Sequence, residues 1–212
     1  AMSVFPFYGT QRRDLFAIER SAMDRSGLVI EVLDRRLPTT GWVLDVGAGD
    51  GHTAQRLSTT HRTLVALEPS RGMIRTDHGV AWVQGEAEHL PFGNDTFDAA
   101  YATWAYFFSR NWDPSSGLQE LHRVVRPGGP LLIVENLGPD EFSALAPTEI
   151  NADPAVWERH GFRCDAIDTH FEFETLDDAR TLLGFFFGAA GSEAAALRLT
   201  FRVGLFSGTS AG

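Results

Sequence analysis

Residues 43–51, Val-Leu-Asp-Val-Gly-Ala-Gly-Asp-Gly, constrain the fold of this chain more than any other stretch. A short apolar run carrying one acid, Asp45, leads directly into glycines at alternate positions, Gly47, Gly49 and Gly51. The pattern reads as a buried strand ending in a tight turn, with a helix following over residues 52–58. Glycine suits the turn because it tolerates positive φ and lets a ligand lie against bare backbone. The first amides of the helix and the positive end of its dipole then face that ligand. Turns of this kind hold nucleotide-type ligands at the carboxyl ends of parallel strands.

Spacing narrows the ligand. A dinucleotide fingerprint, G-x-G-x-x-G, needs a third glycine where this chain has His52. A Walker-type phosphate loop needs a lysine, and the chain contains none. What stands here is G-x-G-x-G with an acid two residues before the first glycine. This nonapeptide resembles motif I of the class I S-adenosylmethionine (SAM) methyltransferases.

Further segments continue the resemblance in the family's order. Leu64-Val-Ala-Leu-Glu-Pro-Ser70 reads as a second buried strand ending in an acid, Glu68, which lies 17 residues after Gly51. A carboxylate there can accept two hydrogen bonds from a ribose diol. Trp82-Val-Gln-Gly-Glu-Ala-Glu-His-Leu-Pro-Phe92 is similar to the family's Gly-Asp-Ala-Glu-x-Leu-Pro-Phe segment, with Glu86 in place of the more usual Asp. The resemblance implies that Glu86 and the Ala87 amide read the adenine edge. Phe97-Asp-Ala-Ala-Tyr-Ala-Thr-Trp104, entered through a Gly93-Asn-Asp turn, resembles the family's fourth strand. Leu121-His-Arg-Val-Val-Arg-Pro-Gly-Gly129 with residues 131–134 resembles its helix, loop and fifth strand. In the Arg-Pro-Gly-Gly turn, proline stops the helix and the glycines permit the reversal. His122 inside that helix reads as packing or surface.

The chain is thus expected to be a class I methyltransferase of the type 11-like, small-molecule group. The implied fold is α/β: a Rossmann-like doubly wound sheet of seven strands in order 3-2-1-4-5-7-6, its inserted last strand antiparallel. Residues 1–38 would form an N-terminal helical lid, and 42–206 the SAM-binding core. Helical spacing of Leu15, Ile18 and Ala22, then of Val29, Val32, Leu33 and Leu37, supports two N-terminal helices broken at Gly27. The aromatic tail Phe5-Pro-Phe-Tyr-Gly9 suits a lid and equally suits simple packing. Later segments predict a helix over 155–160, a strand over 162–173, and a helix over 175–187 capped by Thr175. A short helix over 192–196 and a strand over 197–206 complete the pattern. The final Gly-Thr-Ser-Ala-Gly is expected to fray. Phe185, Phe186 and Phe187 read as packing on the last strands, with a pocket wall or dimer contact as the alternative.

Implied contacts with SAM, whose product is S-adenosyl-L-homocysteine, fall on Asp45, Gly47, Ala48, Gly49, Glu68, Met73, Glu86, Ala87 and Thr103. Acceptor-side residues are expected on the loops after the fourth and fifth strands and on the lid: Tyr8, Trp104 and Asn136, with Glu135 and Tyr106 as catalytic candidates. Glu135, just past a buried strand, is a general-base candidate and equally a loop acid bonded to backbone. The Asn-Pro-Pro-Tyr signature of many nucleic-acid and protein amide methylases is absent. The aromatic run at 104–108 instead favours a small, partly apolar acceptor.

Bulk properties exclude several classes. The 212 residues fit a single ordinary domain, and no run approaches the ~18 apolar residues of a membrane span. A net charge of −10 with scattered arginines weighs against nucleic acid, which needs clustered positive charge. One cysteine, Cys164, rules out an internal disulfide and suggests the cytoplasm. Histidine spacing implies no metal. No signal peptide is evident, and Ala1 before Met2 reads as a tag remnant. Lysine-free, Ala-, Gly- and Arg-rich composition suggests a GC-rich bacterial genome. The expected partner is a small-molecule substrate, with the chain a monomer or homodimer. Rival readings are SAM used without methyl transfer, for example in a cyclisation; modification of tRNA or protein; and a non-catalytic partner-binding subunit.

Overall fold

The computed structural model describes residues 12–105 and 113–211, so the expectations for Tyr8 and Tyr106 lie outside the described residues. In chain order the elements are α1 (Arg13–Ala22), α2 (Leu28–Arg36), β1 (Gly41–Val46), α3 (His52–Leu57), β2 (Arg62–Glu68), β3 (Ala81–Gln84) and β4 (Ala99–Thr103). Then follow α4 (Ser115–Val124), β5 (Pro130–Asn136), α5 (Pro154–Arg159), β6 (Arg163–Glu172), α6 (Leu176–Glu193) and β7 (Arg198–Thr209). The strands form one sheet in the order β3-β2-β1-β4-β5-β7-β6. The first five pair parallel, and β7 runs antiparallel between β5 and β6.

Strand alternation explains why the central strands read as unbroken apolar runs. Val43, Leu64, Tyr101 and Leu132 point into one core, shared with α1, α2 and α6. Leu44, Val65, Ala100 and Leu131 point into a second, shared with α4 and with Trp157 of α5. Both faces are covered, so successive side chains are mostly apolar although they part to opposite sides.

Two buried polar residues tie the helical layer to the sheet. Arg62, 2% exposed, donates from Nε to the Leu57 carbonyl (2.8 Å), from Nη1 to the Pro38 carbonyl (3.2 Å) and from Nη2 to Asp34. It thereby joins the carboxyl ends of α2 and α3 to the start of β2. Asp24, 8% exposed, accepts the amides of Leu28 (3.2 Å) and Val29 (2.8 Å) and the Thr169 hydroxyl (2.6 Å). It caps α2 and pins that end to β6, while Gly27 at φ 78° makes the bend.

Two expectations are corrected. The helices over 175–187 and 192–196 are one run, α6, interrupted at Gly188 (φ 70°, ψ −153°). Glycine absorbs the non-helical step, so the helix resumes at once. Thr175 does cap it, accepting the Asp178 amide at 3.0 Å. The carboxyl terminus does not fray at 208–211: Thr209 pairs with Pro130, and the Ser210 hydroxyl, in a residue 3% exposed, bonds to the His122 and Val125 carbonyls. His122 is part of this anchor, its Nδ1 lying 3.1 Å from the Ala211 amide.

Removing the Asp24 carboxylate leaves two helix amides and a buried hydroxyl without an acceptor. Asp24→Ala is expected to destabilise the chain by about 2–3 kcal/mol in urea unfolding, and Asp24→Asn by less.

Candidate active site

The strand order reverses between β1 and β4, and loops leaving the carboxyl ends of β1, β2, β4 and β5 gather there. The turn after β1 is strapped to β2: the amides of Gly47 and Ala48 both donate to the Leu67 carbonyl, at 2.8 and 2.9 Å. Gly47, Gly49 and Gly51 all have positive φ. A Cβ on Gly47 would sit 2.3 Å from Ala105 Cβ, and one on Gly51 2.6 Å from the Trp82 ring, so side chains are excluded by contact as well as conformation.

Glu68 closes the strap. Its Oε2 accepts the Gly49 amide at 2.9 Å and its Oε1 the Ser70 amide at 2.8 Å. Each oxygen keeps a second lone pair for a ligand. Burial raises its pKa to about 7, the two amide bonds opposing the shift. Asp45 lies in the sheet interior, 1% exposed, where the Tyr101 hydroxyl donates to Oδ2 at 2.8 Å. Its Oδ1 is buried with no partner among the described residues. Burial again raises the pKa to about 7, with the Tyr101 bond opposing and the Glu68 charge reinforcing the shift.

The remaining expected residues fall around this loop. Met73 is buried, its Cε 3.8 Å from where a Gly49 Cβ would project; Phe16 of α1 approaches the same point from the N-terminal side, also at 3.8 Å. Ala87 is buried and Glu86 exposed, the pair sitting in a short turn closed by the Glu86–His89 bridge. Thr103 ends β4 beside Val134. Trp104 follows at φ 47°, unusual for a bulky residue, with its amide on the Val134 carbonyl and its ring stacked on Phe201 at 6.1 Å. Glu135 is buried at the end of β5, opposite Gly204 of β7, and Asn136 is half-buried next to it. Thus Trp104, Glu135 and Asn136 stand on adjacent strand ends. The Phe185–Phe187 cluster divides: Phe186 and Phe187 pack on Phe142 at 6.5 and 5.2 Å, while Phe185 is exposed beneath the Arg12 guanidinium.

Sequence reasoning missed Phe16, Arg20, Arg56 and Tyr101, and named His52 only as the residue that breaks the dinucleotide fingerprint. Tyr101 carries a faint signal, a polar tip inside an apolar strand. His52 is pushed down to about pKa 4, first by burial and then by the Arg20 charge.

Comparison with known proteins agrees with this geometry. Residues 44–133 match the family described as Methyltransferase domain. The demethylmenaquinone methyltransferase of Corynebacterium kroppenstedtii is 38% identical over 96 residues, 44% of this chain and 41% of that protein. The crystal structure of the YcgJ protein from Bacillus subtilis superposes with a TM-score of 0.59 at 21% identity, over 88% of this chain and 97% of the other. The [4+2]-cyclase SpnF gives 0.60 at 19% identity, over 88% and 82%. This is the class I SAM methyltransferase fold. The chain spans about half or less of the length of the curated relatives it matches. No helix among the described residues is long and apolar enough to cross a membrane.

The two raised carboxyls make a signed prediction. Folded Asp45 holds its proton up to about pH 7, whereas an unfolded aspartate releases it near 3.8. Between those values the folded chain binds more protons, so this contribution to stability is full below pH 3.8 and lost as pH rises through 7. Glu68 acts in the same direction. His52, neutral when folded, acts oppositely between about 4 and 6.5. Asp45→Asn should therefore gain stability relative to the parent as pH is raised from 5 to 8 (~3 units) in urea unfolding of the ligand-free protein.

Proposed function

We propose that this chain transfers a methyl group from S-adenosyl-L-methionine to a small-molecule acceptor. The observation that carries the reading is the Glu68 clamp, a buried carboxylate bonded to Gly49 at the tip of the neighbouring strand. It sets an acceptor of ribose hydroxyls against a turn whose glycines leave bare backbone for the rest of the ligand. Residues that fit the cofactor are Gly47, Ala48 and Gly49 along the turn, Glu68 for the ribose, Met73, Glu86 and Ala87 for the adenine, and Thr103 at the methionyl end. Asp45 acts from within the sheet, since its free Oδ1 is buried.

When bound, SAM supplies an already activated methyl group, which leaves alignment and proton handling to the protein. Trp104 and Asn136 flank the expected acceptor position, with Tyr8 assigned there from sequence. Glu135, desolvated at the end of β5, is the base proposed to take a proton from an oxygen or nitrogen acceptor, assisted by Tyr106. Residues 1–38 act as a lid over the 42–206 core; the approach of Phe16 to Gly49 supports that role. The single cysteine, half-buried Cys164, suits a reducing cytoplasm. A second reading, SAM held without methyl transfer, is favoured by one observation: the fold is shared with a cyclase.

Calorimetric titration with S-adenosylhomocysteine tests the cofactor site. Binding is expected, and Glu68→Ala should weaken it at least ~10-fold. Because Glu68 accepts from both ribose hydroxyls only when ionised, affinity should fall about 10-fold from pH 8 to pH 6, and Glu68→Gln should remove that dependence. No binding to folded protein would sink the reading. With an acceptor in hand, release of S-adenosylhomocysteine marks methyl transfer; intact SAM beside a rearranged product marks the cyclase-like alternative.

A further inference from the structure

A cavity of about 140 Å³ lies between the N-terminal segment, α3 and the residue after β4. Arg20, Asp24, Val29, His52, Arg56 and Trp104 are among its walls, and none of the residues assigned to the cofactor lines it. The walls are cationic in a chain whose net charge is −10. Arg25, also at the cavity, is paired with Glu174 at 3.2 Å. Arg20 and Arg56 have no carboxylate partner among the described residues. The carboxylate on the wall, Asp24, is engaged by two helix amides and the Thr169 hydroxyl.

Two lining residues also bury donors that reach nothing. Arg20 Nε and Trp104 Nε1 are both inaccessible and without partners among the described residues. An N–H left unmade beside a cavity is a cost that the described residues do not offset. Burial pushes the Arg20 guanidinium below its usual pKa, with Asp50 as the largest opposing charge, so Arg20 is held at a desolvation cost.

We infer that this cavity seats an anionic oxygen group, a carboxylate or phosphate, carried by the acceptor molecule. The assignment rests on the methyl-transfer reading. An anion answers the guanidinium charge of Arg20 and Arg56 at the cavity wall, which a neutral amide does not. Trp104 joins the two regions: its indole walls the cavity, while its backbone follows Thr103 at the sheet edge where the cofactor is proposed. An acceptor anchored here would reach the reaction centre past that indole, and Arg20 and Arg56 would decide which acceptors are taken.

The test uses the full chain, with acetate and inorganic phosphate as probes and acetamide as the neutral control. The His52 ring and Trp104 indole signals are followed by NMR, with and without saturating S-adenosylhomocysteine. Either anion should raise the His52 pKa by at least about one unit and move the indole N–H, acetamide should do neither, and both responses should persist with S-adenosylhomocysteine bound. Arg56→Gln should weaken anion binding at least ~5-fold while S-adenosylhomocysteine affinity stays within ~2-fold, with Arg20→Gln as the second variant. Absence of any anion response, with S-adenosylhomocysteine still binding, overturns the inference and leaves methyl transfer standing. An anion response abolished by S-adenosylhomocysteine also overturns it, because the cofactor's own carboxylate then fills the cavity. Failure of S-adenosylhomocysteine to bind at all overturns the methyl-transfer reading and the acceptor assignment together.

Discussion

Glu68 accepts amides from Gly49 and Ser70, and through those two bonds the loops leaving β1 and β2 become a single surface. Each loop alone is a short, glycine- or proline-containing segment with little core of its own. A carboxylate buried at the strand tip would be costly without donors, and the two amides offset part of that cost. The residual desolvation shows as a pKa of about 7. The same burial keeps water from competing for the remaining lone pairs. Positive φ at Gly47, Gly49 and Gly51 lets the amides turn toward the carboxylate without side chains in the way.

The N-terminal helices are part of this arrangement. Asp24 holds the start of α2 against β6, and Arg62 holds its end against β2, so the helical layer is fixed at both ends by buried polar groups. Between those fixings, Phe16 comes over the glycine turn and Arg20 is driven into a desolvated position beside His52. Satisfied polar contacts thus define the frame, while two residues that carry unsatisfied donors, Arg20 and Trp104, line the cavity within it. This division is what a binding site built on a rigid scaffold requires.

Much of the frame was legible in the chain. The alternation of apolar runs with helical periods located the strands to within a few residues, because strands covered on both faces leave few polar positions in their sequence. The G-x-G-x-G turn and Glu68 were readable for a related reason: their roles depend on residue type and on one helix and strand of spacing. The misreadings were local. The helices expected over 175–187 and 192–196 proved one run, α6, bent at Gly188. The polar tail looked loose and was held by Ser210 on α4, a contact that composition does not report.

Sequence by itself determined the doubly wound core and the turn at its switch point, since both follow from periodicity and from glycine's freedom of φ. Tertiary structure alone decided the cationic cavity. Arg20 and Trp104 are 84 residues apart, and they meet because β4 lies beside β1 while α1 packs across the sheet's edge. Periodicity tells which face of a helix is buried, but not which strand end it will face, nor whether a charge carried there will find a partner.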